Sequence, residues 1–207
     1  MGFTYTSFLQ QGLMLVLLLW VSQVQAITLE TGKDEQARLP FWEVSNKDMS
    51  LRLVQRLPDQ TRGFFMARGF KQEDAELIAQ SCVFQTVFRN LSDQHIPSPL
   101  SYDLGQWQVR VGGRTHAMKM REAWESVWKQ RGASPAAALA FNWALLPTQQ
   151  IYKSGDYTWG MSIFDLKPGT IFDLRLTWEQ HGKTQSAIIK KLQCAPDIHP
   201  DPEQFGK

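Results

Sequence analysis

Charge is missing from the start of this 207-residue chain: no Asp, Glu, Lys or Arg occurs between Phe3 and Ala26. Cysteine is scarce, with only Cys82 and Cys194. Two cysteines so far apart exclude zinc sites built on closely spaced thiolate pairs. Gly-x-Ser-x-Gly is absent, as are a phosphate-cradling glycine loop and a dinucleotide fingerprint, so the common nucleophile-elbow and nucleotide-binding designs have no support. No histidine pair stands at helical ligand spacing, and a zinc site would need distant partners. Basic residues do not cluster. The 22 Lys and Arg are mixed with 20 Asp and Glu, for a formal net charge of +2, unlike the concentrated positive footprint of a nucleic-acid binder. A long apolar run is missing too: even stretched from Gly12 to Val24, the N-terminal segment falls short of the about 20 residues an ordinary spanning helix needs.

What that segment does have is the layout of an export signal. Leu13 to Val21 is unbroken apolar sequence, and Val24-Gln25-Ala26 places small residues at the −3 and −1 positions of a cleavage site. The amino-terminal region lacks the usual Lys or Arg, and an uncleaved anchor is the competing reading. The expectation is a signal peptide over residues 1–26, then one exported β-rich domain over 27–207, periplasmic or extracellular, with no stable membrane span after cleavage. In an oxidising compartment an even cysteine count predicts a Cys82–Cys194 bridge. Chain entropy puts closure of so long a loop at about 4 to 5 kcal/mol.

Residues 27–38 are polar and charged and predict a flexible lead-in. Alternation from Leu51 to Leu57 predicts a strand. Pro58 opens a short helix ended by Gly69, and a second runs from about Gln72 to Ser81 with Ala75, Ile78 and Ala79 on one face. Val83 to Phe88 reads as a strand and Asn90 to Ser101 as a loop. Trp107, Val109 and Val111 alternate with polar residues up to Gly112-Gly113, a hairpin signal, and the return strand covers Arg114 to Met120. A helix follows from Arg121 to Arg131. Ala138 to Leu146, nearly all apolar, predicts a strand buried on both faces. Three further alternating strands cover 157–163, 172–178 and 184–194, after which the Pro-rich tail is loose. The fold class is mainly β: a β-sandwich-like antiparallel domain with two short helical segments, about 58–81 and 121–131.

Three groups of residues are candidates for chemistry or recognition. Pairing across Gly112-Gly113 sets Val109 opposite His116 and Trp107 opposite Met118, which gathers Trp107, His116, Met118 and Met120 on one face. One imidazole and two thioethers suit Cu(I). The set resembles the His/Met/Met site with a nearby Trp in small periplasmic copper chaperones of the silver/copper-efflux type, over about fifteen residues and with different ligand spacing. The same face also fits an ordinary core, which Met often fills. A second group, Trp143, Trp159 and Trp178 with Tyr157, lines either a ligand groove or partner surface, or a core aromatic cluster. Third, Asn90-Leu91-Ser92 matches a glycosylation sequon, while His95, His181 and His199 read as solvated loop residues.

The functional expectation is therefore an exported, non-catalytic accessory or binding protein. It would meet a protein partner through a surface or groove, with no cofactor expected. Cu(I) handling at His116, Met118 and Met120 and a hydrolase with a spatially assembled site are the alternatives.

Overall fold

A computed structural model describes residues 26–198. The predicted leader falls outside them except for Ala26, as does the end of the tail from His199 onward. Among the described residues no helix is long and apolar enough to cross a membrane.

Two antiparallel sheets face each other. Sheet A is built from β1 (Thr28–Lys33), β2 (Pro40–Ser45), β3 (Met49–Gln55), β4 (Val83–Asn90) and β9 (Tyr157–Ile163), hydrogen-bonded in that order. Sheet B contains β5 (Leu100–Asp103), β6 (Gln108–Val111), β7 (Arg114–Ala117), β8 (Gln149–Tyr152), β10 (Ile171–Gln180) and β11 (Lys183–Gln193). In sheet B, β10 pairs with β11 on one side, and with β5 and β6 at its two ends on the other.

Alternation explains the main core. Phe172, Leu174, Leu176 and Trp178 are buried along β10, and they meet Leu51, Leu53, Phe84 and Phe88 from sheet A. Because side chains alternate across a strand, each sheet offers this core one face. One irregularity interrupts the ladder. The β10–β11 register shifts between Phe172 and Leu174, and Lys191 sits at φ +56°. The Asp173 carboxylate accepts the Lys191 N–H at 2.9 Å, giving the bulged backbone a partner.

Four short helices form a third layer against the outer face of sheet A: α1 (Pro58–Met66), α2 (Gln72–Ala79), α3 (Arg121–Arg131) and α4 (Pro135–Ala144). They bury a second core, with Phe65, Phe70, Trp124, Trp128 and Phe141 packed with Val83, Met161 and Ile163. Gly132, at φ +66°, ends α3, and the Ala133 N–H reaches back to the Trp128 carbonyl at 3.0 Å. That is the left-handed stop only glycine adopts without strain.

The disulfide forms as expected, with Cys82 and Cys194 Cα atoms 5.2 Å apart. It joins the segment between α2 and β4 to the end of β11, so it fastens sheet A to sheet B. The Gln55 side-chain amide donates to the Gln193 carbonyl at 2.6 Å beside the same strand end.

Several sequence expectations need correction. The run from Ala138 to Leu146 is not a strand, because its first seven residues lie in α4. The Ser134 hydroxyl accepts the Ala137 N–H at 3.1 Å and Pro135 occupies the first turn, so capping and alanine propensity outweigh the apolar run. Residues 27–38 are not merely a lead-in. β1 occupies 28–33 as an edge strand with all six residues exposed. β7 stops at Ala117, three residues short of the predicted end. The short strands β2 and β8 had no expectation attached to them, and β5 begins at Leu100, inside the loop expected over Asn90 to Ser101.

Candidate functional site on the outer face of sheet A

The helices cover only part of the outer face of sheet A. The registers define three cross-strand rows on that face. Met161 lies beside Gln85, then Val54, then Phe41. Trp159 lies beside Val87, Arg52, Glu43 and Glu30. Tyr157 lies beside Arg89, Ser50 and Ser45. The first row begins under the helices. The other two are open, and they floor two adjoining grooves of about 600 and 620 Å³.

The aromatic end stands on β9. Tyr157 is 65% exposed and Trp159 58%. Both project from a strand rather than a loop, so they are held in place without burial. The Arg89 guanidinium lies over the Tyr157 ring at 5.9 Å, within cation–π range. Trp143, near the end of α4, is 78% exposed. Two residues later Leu145 bridges to Met161, and the Leu146 N–H donates to the Met161 carbonyl at 3.0 Å. The chain therefore leaves the helical layer where the cover over β9 ends.

The middle of the face is a locked ion cluster. Arg52 donates to Glu43 at 2.8 Å and to Asp34 at 3.0 Å, with its guanidinium 3.6 Å above the Phe41 ring. Burial works against the Arg52 charge, but the bonds to Glu43 and Asp34 prevail and raise its pKa. The other Asp34 oxygen accepts the N–H groups of Ala37 and Gln36 at 2.9 and 3.1 Å. The Ala37 N–H contributes most to holding that carboxyl below its usual range, although desolvation opposes it. Such a cluster is a rigid wall rather than a reactive group.

The end of the face beside α1 differs. Arg56 is substantially desolvated, which lowers its pKa, and the Arg68 charge lowers it further. Its Nη2 donates to the Gln60 carbonyl at 3.1 Å, while its Nε is buried without a hydrogen-bond partner among the described residues. Arg56 and Arg68 both stand over the Phe64 ring, at 4.9 and 3.3 Å.

The predicted aromatic group thus divides. Trp143, Tyr157 and Trp159 face solvent, whereas Trp178 is 1% exposed inside the main core. The predicted His/Met/Met group divides as well. The hairpin register is as expected, with Val109 opposite His116 and Val111 opposite Arg114. His116 is exposed on the edge strand, Met118 is buried in the main core, and Met120 packs partly buried against it. Trp107 is buried there too, its indole N–H donating to the Thr177 carbonyl at 2.9 Å. Among the described residues, no three of His, Cys, Asp and Glu are grouped to hold a metal ion.

One constellation escaped the sequence. His181, at the β10–β11 turn with φ +52°, has Nε2 3.3 Å from Asp48 and Nδ1 3.0 Å from the Ser98 hydroxyl. These are the residue types of a nucleophile, base and acid, but Ser98 is buried and its carbonyl accepts from Asn90 and Ser92. The set ties three loops together, so His181 is more than a solvated loop residue. The same network corrects the sequon expectation: the Asn90 amide is buried and bonded to the Ser98 and Tyr152 carbonyls, which leaves no room for a glycan.

Fold and site together define a two-sheet β-domain, with a helical layer over part of one sheet and an aromatic and basic groove over the rest. No protein-family model, curated protein or solved structure matches the chain.

Proposed function

We propose that this chain is an exported, non-catalytic binding protein that holds a protein partner on the uncovered part of the outer face of sheet A. The observation that carries the proposal is the exposure of Trp143, Tyr157 and Trp159 on regular secondary structure. Fully burying one large apolar side chain is worth about 1.5–3 kcal/mol. Folding leaves most of that unrealised here, and docking recovers it. Trp, Tyr and Arg are also the residue types that dominate binding energy at interfaces, and Arg89 stands beside Tyr157. The Cys82–Cys194 bridge supports an oxidising compartment.

The test is site-specific photocrosslinking in the native compartment. A benzophenone side chain at position 159 is expected to yield a discrete adduct that Tyr157→Ser with Trp143→Ser suppresses. The same probe at Ile188, exposed on sheet B, is expected to yield none. Indistinguishable labelling at the two positions rejects the proposal.

A further inference from the structure

On the opposite side of the sandwich, the outer face of sheet B carries a smaller cavity of about 240 Å³. The registers bring its walls together. On β10, Asp173 lies opposite Arg110 of β6, and Arg175 lies opposite Gln108. On its other side Arg175 lies opposite Ile188 of β11, and Lys190, just before the bulge, lines the cavity as well. Cross-strand partners share a face, so Arg110, Arg175 and Lys190 project to one side from three neighbouring strands. Thr115, opposite Arg110 on β7, closes the edge. None of the three cations has an ion-pair partner among the described residues. The one carboxylate in the wall, Asp173, accepts the Lys191 N–H at 2.9 Å and forms no ion pair with them. It offsets one charge and leaves an excess of two. The register keeps like charges from standing directly opposite, but Arg110 and Lys190 both hold diagonal positions to Arg175, about 7–8 Å away between backbones. Such a cluster is unfavourable in the free protein and becomes favourable once an anion sits among its members.

We infer that this cavity binds a small solute bearing a dianionic tetrahedral oxyanion, a phosphate monoester or sulfate, among Arg110, Arg175 and Lys190. The excess of two positive charges matches a dianion. A monocarboxylate brings one charge and two oxygens and leaves part of the cluster unmatched. Guanidinium forks suit the several oxygens of a phosphoryl or sulfate group, and the ammonium acts as a point charge beside them. The cavity is below the about 300–1,000 Å³ of sites for drug-sized ligands, so it admits the charged group and a short attachment. Ile188, 53% exposed, is the apolar wall for that attachment. The inference does not depend on the docking surface of sheet A, which lies on the other side of the molecule.

The experiment is calorimetric titration of the oxidised protein with glycerol 3-phosphate and with sulfate, at about pH 8, where a phosphate monoester is a dianion. Acetate and chloride at matched ionic strength are the comparators, so that general screening is equal. At least one dianion is expected to bind as a single equivalent, about tenfold or more tighter than acetate. Its amide shifts in NMR spectra are expected to be confined to β6, β7, β10 and β11. Arg110→Gln with Arg175→Gln is expected to abolish the binding and leave the thermal midpoint of the free protein nearly in place, because both side chains are exposed. Lys190→Gln alone is expected to weaken it severalfold, a second reading that does not require the double variant. Acetate binding as tightly as the dianions overturns the inference, as does binding that survives the double variant, shifts centred elsewhere, or no binding at all. Binding only to phosphatidylcholine vesicles that contain phosphatidic acid also overturns it, because the phosphoryl group then belongs to a membrane surface and not to a small solute.

Discussion

The two ends of β9 carry the same pattern and meet opposite fates. Tyr157, Trp159, Met161 and Ile163 all project to the outer face of sheet A at a spacing of two. Met161 and Ile163 are buried in the second core, while Tyr157 and Trp159 stand in solvent. The strand itself does not distinguish them, since both halves pair with β4 in unbroken register. The difference lies in what lies above. Phe141 of α4, with Phe65 and Phe70, reaches over the Ile163 end, and the chain leaves that layer at Leu145–Leu146. Leu145 belongs to the second core and its neighbour Leu146 to the main one, so within a single peptide step beside Met161 the chain passes from the outer side of sheet A to the core between the sheets. An alternating apolar strand therefore reports a face able to be buried, and the reach of another element decides how much of it is.

Removing the cover gives the largest effect. Phe141 is fully buried against Phe65, Trp124 and Trp128, with ring centroids 5.0–5.5 Å away. Phe141→Ala is expected to cost about 3–5 kcal/mol in chemical denaturation, the range for deleting a buried aromatic. A loss below about 1 kcal/mol contradicts the covered half of the comparison, because it places the residue among exposed positions. Moving the border gives a smaller effect. A Cβ on Gly160 meets the Leu146 nitrogen at 2.9 Å and the Leu145 carbonyl carbon at 3.0 Å. Those are backbone atoms and yield only if the crossing shifts. Gly160→Ala is expected to destabilise by about 1–3 kcal/mol, as overpacking does. Amide exchange is expected to quicken at Leu146, whose N–H bonds to Met161. Unchanged protection there, with unchanged stability, shows that the crossing is not held at Gly160.

What was legible in the sequence follows the same division. Strands with one wet face, such as β10, announced themselves by clean alternation, and the Gly112-Gly113 hairpin fixed its own register. The bridge followed from cysteine parity. Residues 135–144 were harder, because an apolar run satisfies a buried strand and a packed helix equally well. Ser134 and Pro135 were the signals to weigh, as a cap and a first-turn proline. The short strands β2, β5 and β8 offer few alternations and take their partners from distant segments. For the site, Tyr157 and Trp159 were visible as aromatics, but their exposure depends on where α4 ends. Trp178, of the same residue type and on an equally regular strand, is core. The basic lining was invisible, since Arg56 follows β3, Arg89 lies on β4, and only the folded sheet shows that both border one groove.

The smallest expected effect on stability is also the sharpest probe of the comparison. Trp159→Ala removes an indole that folding leaves more than half in water, so the folded state loses little packing and no cavity forms beneath it. Denaturation is expected to shift by no more than about 0.5 kcal/mol, the ordinary range for a surface substitution, against the several kcal/mol expected for Phe141. The row argument supplies the reason. Trp159 lies beside Val87 and Arg52 on an open face, and its cross-strand neighbours keep their own partners, with Arg52 bonded to Asp34 and Glu43. A measured loss of about 2 kcal/mol or more places Trp159 in a third core, extending the covered half to Tyr157 and leaving no docking surface on β9. A small loss of stability, accompanied by loss of the adduct formed when the benzophenone probe is moved to position 143, separates the two halves of one strand by role, since one then holds the fold and the other holds a partner.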